Sequence, residues 1–518
     1  MASGRVIDGD EHDARLLAHE VVTKARGEAK QIHDDVKALA AGILADARAE
    51  ADRVIARAEG DAAKLRDDAR ELGNQLVKGA RVATRSDVST DTHDVIASSG
   101  SELAGGKVED VVGLVVRATV PGAALGELVR IDRRDATPLS AEVVGFRGEQ
   151  ALLLPLGELA GIAPASEVWR TGEPFSIRCG DGLLGRVLDG LGAPLDDGPP
   201  PTGERWLVDR AAPSPLARPP IVAPLATGVR AIDSMLSLGR GQRIGLFAAA
   251  GVGKSTLLGQ IARGTNADAI VVCQVGERGR ELAELLGDEL APARGKTVVV
   301  SATSDAPPLV RLRAVHVATA IAEWFRERRG ANVLLLVDSL TRVARAQREV
   351  GLSAGEPPAR HGYPPSVFAL LPRLVERAGA TTAGAITAIY TVLVAGNDLD
   401  EPIADEVRGL VDGHIVLDRR LAQRAHFPPI DVVGSVSRLM LKVVDARHAD
   451  AAAIVRARLA TYEEHRDLIT LGAYQAGRDR AVDEAVAAYP AIERLLRQKR
   501  DDVADWDASL GQLLTLAR

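Results

Sequence analysis

Apolar residues follow three different rhythms along this chain. From Leu17 to Leu76 they recur about every 3.7 residues, at positions such as Val21, Ile32, Val36, Leu39, Ile43, Val54 and Leu65. The surrounding stretch, residues 11–82, is rich in alanine and charge and has no proline, which predicts a long helix whose apolar seam runs straight or slightly right-handed. Polar and small residues from 83 to 106, among them Ala97-Ser98-Ser99-Gly100-Ser101, read as a linker. Short apolar segments then alternate with glycine and proline turns, as at Val111–Val116 and Ala151–Leu154, predicting a small β-barrel. Unbroken apolar runs at Ile244–Phe247, Ala269–Val275 and Leu334–Val337 are the form of strands buried on both faces of a parallel sheet. From about residue 439 the pattern is helical again. The chain therefore reads as a multidomain α/β protein. It has a helical, coiled-coil-like extension (1–82), a linker (83–106), a β-barrel (107–184), an α/β core with a parallel sheet (185–438) and a C-terminal helical domain (439–518).

The run Ile244–Phe247 leads into Ala250-Gly251-Val252-Gly253-Lys254-Ser255-Thr256-Leu257, a strand, a phosphate loop and a helix start. Glycines let backbone N–H groups turn inward around phosphate oxygens, where side chains would intrude. Lys254 can then reach the β- and γ-phosphates, and the Ser255 hydroxyl can ligate Mg²⁺ at the start of a helix whose dipole favours anions. Ala250 to Thr256 are the expected ATP-binding residues. The full pattern places a glycine where this chain has Ala248.

Two carboxylates complete the chemistry. Asp338 ends the run Leu334–Val337, where a buried strand would deliver an acid to the metal shell. Glu277 follows Gly276 at the end of Ala269–Val275 and is expected to orient the water that attacks the γ-phosphate, with Arg278 beside it in the catalytic set. A solvated charge cluster of Glu277, Arg278, Arg280 and Glu281 opening a helix is the other reading of those residues.

Composition narrows the function classes. With 518 residues, 46% of them hydrophobic, the chain exceeds a single core. A net charge of −7 and 3% aromatic residues argue against a basic, base-stacking nucleic-acid surface, so no nucleic-acid partner is expected. Cys179 and Cys273 lack metal-ligand spacing, and Cys273 reads as core. The acidic start, Asp8 and Asp10, is no secretory signal, and no segment has the length of a membrane span; a cytoplasmic protein is expected.

The motifs together resemble the rotary-type hexameric ATPases: Gly241-Gln242-Arg243-Ile244-Gly245, the phosphate loop, Gly276–Glu281, Asp338-Ser339-Leu340-Thr341-Arg342 and Gly355-Glu356-Pro357-Pro358. Pro224–Asp233, Ala344–Leu352 and Asn397–Arg408 look like the type III protein-export ATPases, flagellar or injectisome. That resemblance implies a RecA-like core and a homohexamer that hydrolyses ATP with Mg²⁺ to release chaperones and unfold export cargo. It also implies a barrel domain that seals the ring, and partners among export-gate and stalk proteins, chaperone–cargo complexes and the cytoplasmic face of the inner membrane. Arg408 falls on the family's trans-acting arginine finger, although pairing with Asp405 or Glu406 along a helix is the alternative. Phe427 matches the aromatic that stacks on adenine, or is simply core. Val343 stands where many relatives carry an aromatic. The seam of residues 11–82 resembles stalk proteins and stator-like regulators, so a fused stator-like segment and an ordinary coiled coil both remain open. A catalytic subunit of an ion-translocating rotary ATPase, a non-catalytic ring subunit and an RNA-translocating helicase are the competing functions.

Overall fold

The computed structural model describes residues 105–134, 136–394 and 399–518. The expected helical extension at 11–82, and with it the stator-like reading, lies outside the described residues, as do nearly all of the linker and the motif residues Asn397 and Asp398. Among the described residues no helix is long and apolar enough to cross a membrane.

Six strands form a closed barrel: β1 (Gly106–Val112), β2 (Val115–Thr119), β3 (Glu127–Arg133), β4 (Ala136–Arg147), β5 (Gln150–Pro155) and β6 (Glu167–Pro174). Their alternating inward residues, including Val116, Val129, Ile131, Val143 and Leu153, make a small core of their own. The first strand begins at Gly106, the last residue read as linker.

The core sheet is built from β7 (Val187–Asp189), β8 (Arg243–Ala248), β9 (Ala269–Glu277), β10 (Thr297–Thr303), β11 (Asn332–Asp338), β12 (Ala385–Leu393), β13 (Gly413–Leu417) and β14 (Ile430–Ser437). Across the sheet these run in the order β14-β13-β8-β12-β11-β9-β10-β7. Only the β13–β14 pairing along this path is antiparallel. The sequence shows why those strands read as unbroken apolar runs. In β9, Val271, Cys273 and Val275 enter the core on one face while Ile270 and Val272 enter the core on the other, so both faces are dry. Cys273 is fully buried, and burial pushes its thiol pKa up.

Helices cover the sheet: α1 (Arg230–Met235), α2 (Lys254–Gly264), α3 (Pro308–Arg329), α4 (Leu340–Ser353) and α5 (Pro402–Leu410). Proline sits in the first turn of α3, and Gly330 stops it with φ 63°, an arrangement each residue's backbone favours. Arg313 of α3 ties the barrel down, pairing with the buried Glu142 of β4 and, at 2.7 Å, with Asp209. The C-terminal helices α6 (Ala446–Thr470), α7 (Arg480–Leu496) and α8 (Trp506–Leu516) start at Asp445, Asp479 and Asp505, whose carboxylates accept first-turn backbone N–H groups. Ile492, Leu495, Leu496 and Leu513 of α7 and α8 share one core with Leu257, Leu258 and Ile261 of α2. The C-terminal helices thus pack into the same core as the helix that follows the phosphate loop.

Candidate nucleotide site

The carboxyl ends of β8, β12, β11 and β9 lie side by side, the edge at which parallel sheets place their ligand sites. The loop from β8 to α2 turns through Gly251, φ 77°, and Gly253, φ 103°. Both angles lie in the left-handed region that favours glycine, and a Cβ on either would meet no atom within 4 Å. Backbone handedness, not crowding, therefore demands glycine here, and the concavity is open. Ala248, by contrast, lies inside β8 and is fully buried; a strand position needs no positive φ, so the missing glycine leaves the turn itself intact.

At this edge four charged groups meet. Lys254 Nζ donates to Asp338 Oδ1 and lies 3.5 Å from Glu277 Oε1. Arg342 of α4 grips Glu277 with two donations, Nε to Oε1 at 3.1 Å and Nη2 to Oε2 at 2.8 Å. Asp338 Oδ1 also accepts from Thr391 Oγ1 of β12 at 2.8 Å. Asp338 is 2% exposed and Glu277 7%, so neither is a solvated surface charge, and the solvated-cluster reading of Glu277 fails. Burial, reinforced by a hydrogen bond with Glu281, raises the Glu277 carboxyl above the ordinary glutamate range, against the opposing pull of Lys254 and Arg342. Two cations and two carboxylates balance one another here. A polyphosphate would compete for Lys254 as its counter-ion, leaving Glu277 with Arg342 and Asp338 with Thr391.

Ser255 is exposed in the first turn of α2, with a hydroxyl suited to a metal–phosphate complex. Arg278 is exposed and precedes the short helix Gly279–Glu284, while Glu277 beside it turns inward. Beyond the loop, a cleft of about 660 Å³ is lined by Gly253, Thr256, Leu257, Gln260, Phe427, Pro428, Pro429 and the segment from Arg497 to Lys499. Phe427 is 49% exposed. It is therefore not a core residue, and its ring borders the cleft beside the phosphate loop, as an aromatic platform for a planar base would. Val343, in contrast, is fully buried in the sheet's core.

Arg408 stands apart from this cluster on α5, half-buried, with Nη2 at 3.1 Å from Asp405 Oδ1 and 3.4 Å from Asp400 Oδ1. The pairing expected along the helix is present. It leaves the guanidinium near the surface, held by carboxylates that are themselves substantially exposed.

Sequence reasoning singled out neither Arg342 nor Thr391. Arg342 stood in the quoted Asp338–Arg342 segment, four residues after Asp338, but only the fold brings α4 across the end of β9. Thr391 is one of two threonines in an otherwise mostly apolar strand and carried no signal.

Residues 228–437 match the ATP synthase alpha/beta family, nucleotide-binding domain, and residues 108–172 its beta-barrel domain. Residues 444–515 match the T3SS EscN ATPase C-terminal domain. The chain is similar to the flagellum-specific ATP synthase of Bacillus subtilis, at 49% identity over 427 residues covering 82% of this chain and 97% of that protein. It is also similar to the type 3 secretion system ATPase of Xanthomonas euvesicatoria, at 48% over 413 residues, covering 79% and 93% respectively. Among solved structures, the assembled ATPase EscN of enteropathogenic E. coli superposes with a TM-score of 0.76 at 43% identity, over 80% of this chain and 100% of that one. A second structure holds EscN with its central stalk EscO, at a TM-score of 0.74.

Proposed function

Because the chain belongs to the type III export ATPases of the ATP synthase alpha/beta family and hydrolyses ATP to energise protein export, we propose that it does so as a homohexameric ring. Each nucleotide site would lie at a subunit interface. The observation that carries this reading is the pairing of a preformed phosphate loop and inward carboxylates with an arginine, Arg408, that sits away from them near the surface.

Within one subunit, Ala250 to Thr256 cradle the phosphates and Lys254 neutralises the β- and γ-oxygens. Phe427 offers its ring to adenine. Ser255 and Asp338 would hold Mg²⁺, which screens charge on the phosphates. The donor set fits, a hydroxyl and a carboxylate that prefer a hard cation, and Thr391 fixes the orientation of the acid. Glu277, steadied by Arg342, orients the attacking water and accepts its proton. Arg408 of an adjoining subunit enters where charge gathers on the γ-phosphoryl oxygens. A stalk protein is the partner expected within the ring. Export-gate proteins and chaperone–cargo complexes are expected on its outer faces, at the cytoplasmic side of the inner membrane, and residues 11–82 are a candidate for a built-in stator-like segment.

Phosphate release by the purified full chain with ATP and Mg²⁺ tests this reading. Specific activity should rise with protein concentration as rings form. Activity that is constant per chain from a dilute monomer upward would contradict it.

A pH dependence follows from Glu277. Its carboxyl must be ionised to orient water, and burial raises its pKa, so protonation and loss of turnover begin at a higher pH than for an ordinary glutamate. The acid limb of the kcat/KM profile, which reports groups of the free enzyme, should therefore lie above the free-glutamate range. A profile that stays level down to that range, with the fold intact, would contradict the role.

A further inference from the structure

The far wall of the base cleft belongs to the C-terminal helices, being the connector between α7 and α8, from Arg497 to Asp502. Its backbone carbonyls are taken up one after another by side chains of the nucleotide-binding core. Arg230 donates to Arg497 O, and also to Leu495 O in the last turn of α7, Gln260 of α2 donates to Lys499 O at 2.9 Å, and Arg263 of α2 donates to Arg500 O. The helix that carries the phosphate loop is thus stitched directly to this connector.

One residue joins all parts of the slot. Gln498 is 5% exposed, and its backbone N–H donates to Phe427 O at 2.8 Å. Its side-chain Oε1 accepts from Arg230 N at 2.8 Å, while Nε2 donates to Gly228 O and to Asp502 O, both at 2.8 Å. A buried amide whose donors and acceptor are all engaged has one available orientation and fixes the groups it touches. Those groups are the backbone of Arg230 and Gly228 on the core side and the turn through Asp502 on the other; together they fix the backbone at position 498, whose own N–H holds the Phe427 carbonyl. Gly228 is held in its turn by the buried Asp233, which accepts its N–H at 2.9 Å, so the anchor is rigid.

We infer that Gln498 is a positioning residue for the adenine, setting the separation between the Phe427 platform and the connector that faces it. The inference rests on the nucleotide site proposed above. It assigns to Gln498 an effect on the base that does not extend to the triphosphate, because its hydrogen bonds go to Gly228, Arg230, Asp502 and the Phe427 carbonyl and none to the phosphate loop.

The test uses the full chain with Gln498→Glu, which keeps the shape and the acceptor for Arg230 but loses both donations, and with Gln498→Ala. Equilibrium titration with ATP, and with inorganic tripolyphosphate as a base-free probe, separates the two halves of the site. Loss of an ordered stacking slot should weaken ATP about tenfold, with tripolyphosphate affinity unchanged and the loss falling on KM rather than kcat. Phe427→Ala should weaken ATP in the same direction. Unchanged ATP affinity in both Gln498 variants would overturn the inference, as would equal weakening of ATP and tripolyphosphate, or failure of both variants to fold. Titration needs no turnover, so a wild-type chain that binds ATP without hydrolysing it would count against the proposed function and leave this test decisive.

Discussion

Arg408→Ala should abolish almost all ATP turnover, by about 10³-fold or more, while leaving the fold, ATP binding and ring assembly in place. The fold survives because Arg408 is a third exposed and its carboxylate partners are surface groups, and such pairs contribute only about 0–1 kcal/mol. The rate collapses because a guanidinium that meets the γ-phosphoryl oxygens stabilises charge that exists only in the transition state. Arg408→Lys should not restore it, since an ammonium lacks the planar fork that reaches two oxygens at once. Steady-state phosphate release, with light scattering to confirm particle size, checks both halves. Near-normal turnover in Arg408→Ala would leave the residue with its helical ion pairs and nothing more.

Glu277→Gln should keep ATP binding and lose about 10²- to 10⁴-fold of turnover. Arg342 can still donate to the amide oxygen of the variant, so the side chain stays in place. What is lost is the negative charge that orients the water and receives its proton. Lys254 keeps Asp338 as a partner, so the phosphate loop is not left with an unopposed cation. Equilibrium binding of ATP together with single-turnover hydrolysis separates the two effects. Near-normal hydrolysis would remove Glu277 from its role, and parallel loss of binding and hydrolysis would make it a structural member of the Lys254 cluster.

Much of this site was legible in the chain because phosphate recognition depends on backbone, and backbone demands show in sequence. Gly251 and Gly253 mark left-handed turns, and unbroken apolar runs mark strands dry on both faces, two of them ending at the carboxylates Glu277 and Asp338. The Phe427 question could not be decided from sequence, since a lone aromatic reads equally as core or platform; its partial exposure beside the phosphate loop decides against core. Groups that act across distant segments were not legible. Arg342 reaches Glu277 over 65 positions and Thr391 reaches Asp338 over 53, and no local rhythm encodes such a crossing. Gln498 was hidden for the same reason, since it lies 270 positions from Gly228 in a stretch whose sequence pattern read only as a helical domain.

The measurement that bears most directly on a site shared between subunits is complementation between two inactive proteins. Arg408→Ala supplies an intact Glu277 pocket without the arginine, and Glu277→Gln supplies the arginine without the pocket. Mixed so that subunits exchange, the two should recover a clear fraction of wild-type hydrolysis, because some interfaces then combine an unaltered Glu277 with an unaltered Arg408 from the neighbour. A mixture as inactive as its components, with subunit exchange demonstrated, would contradict the shared site.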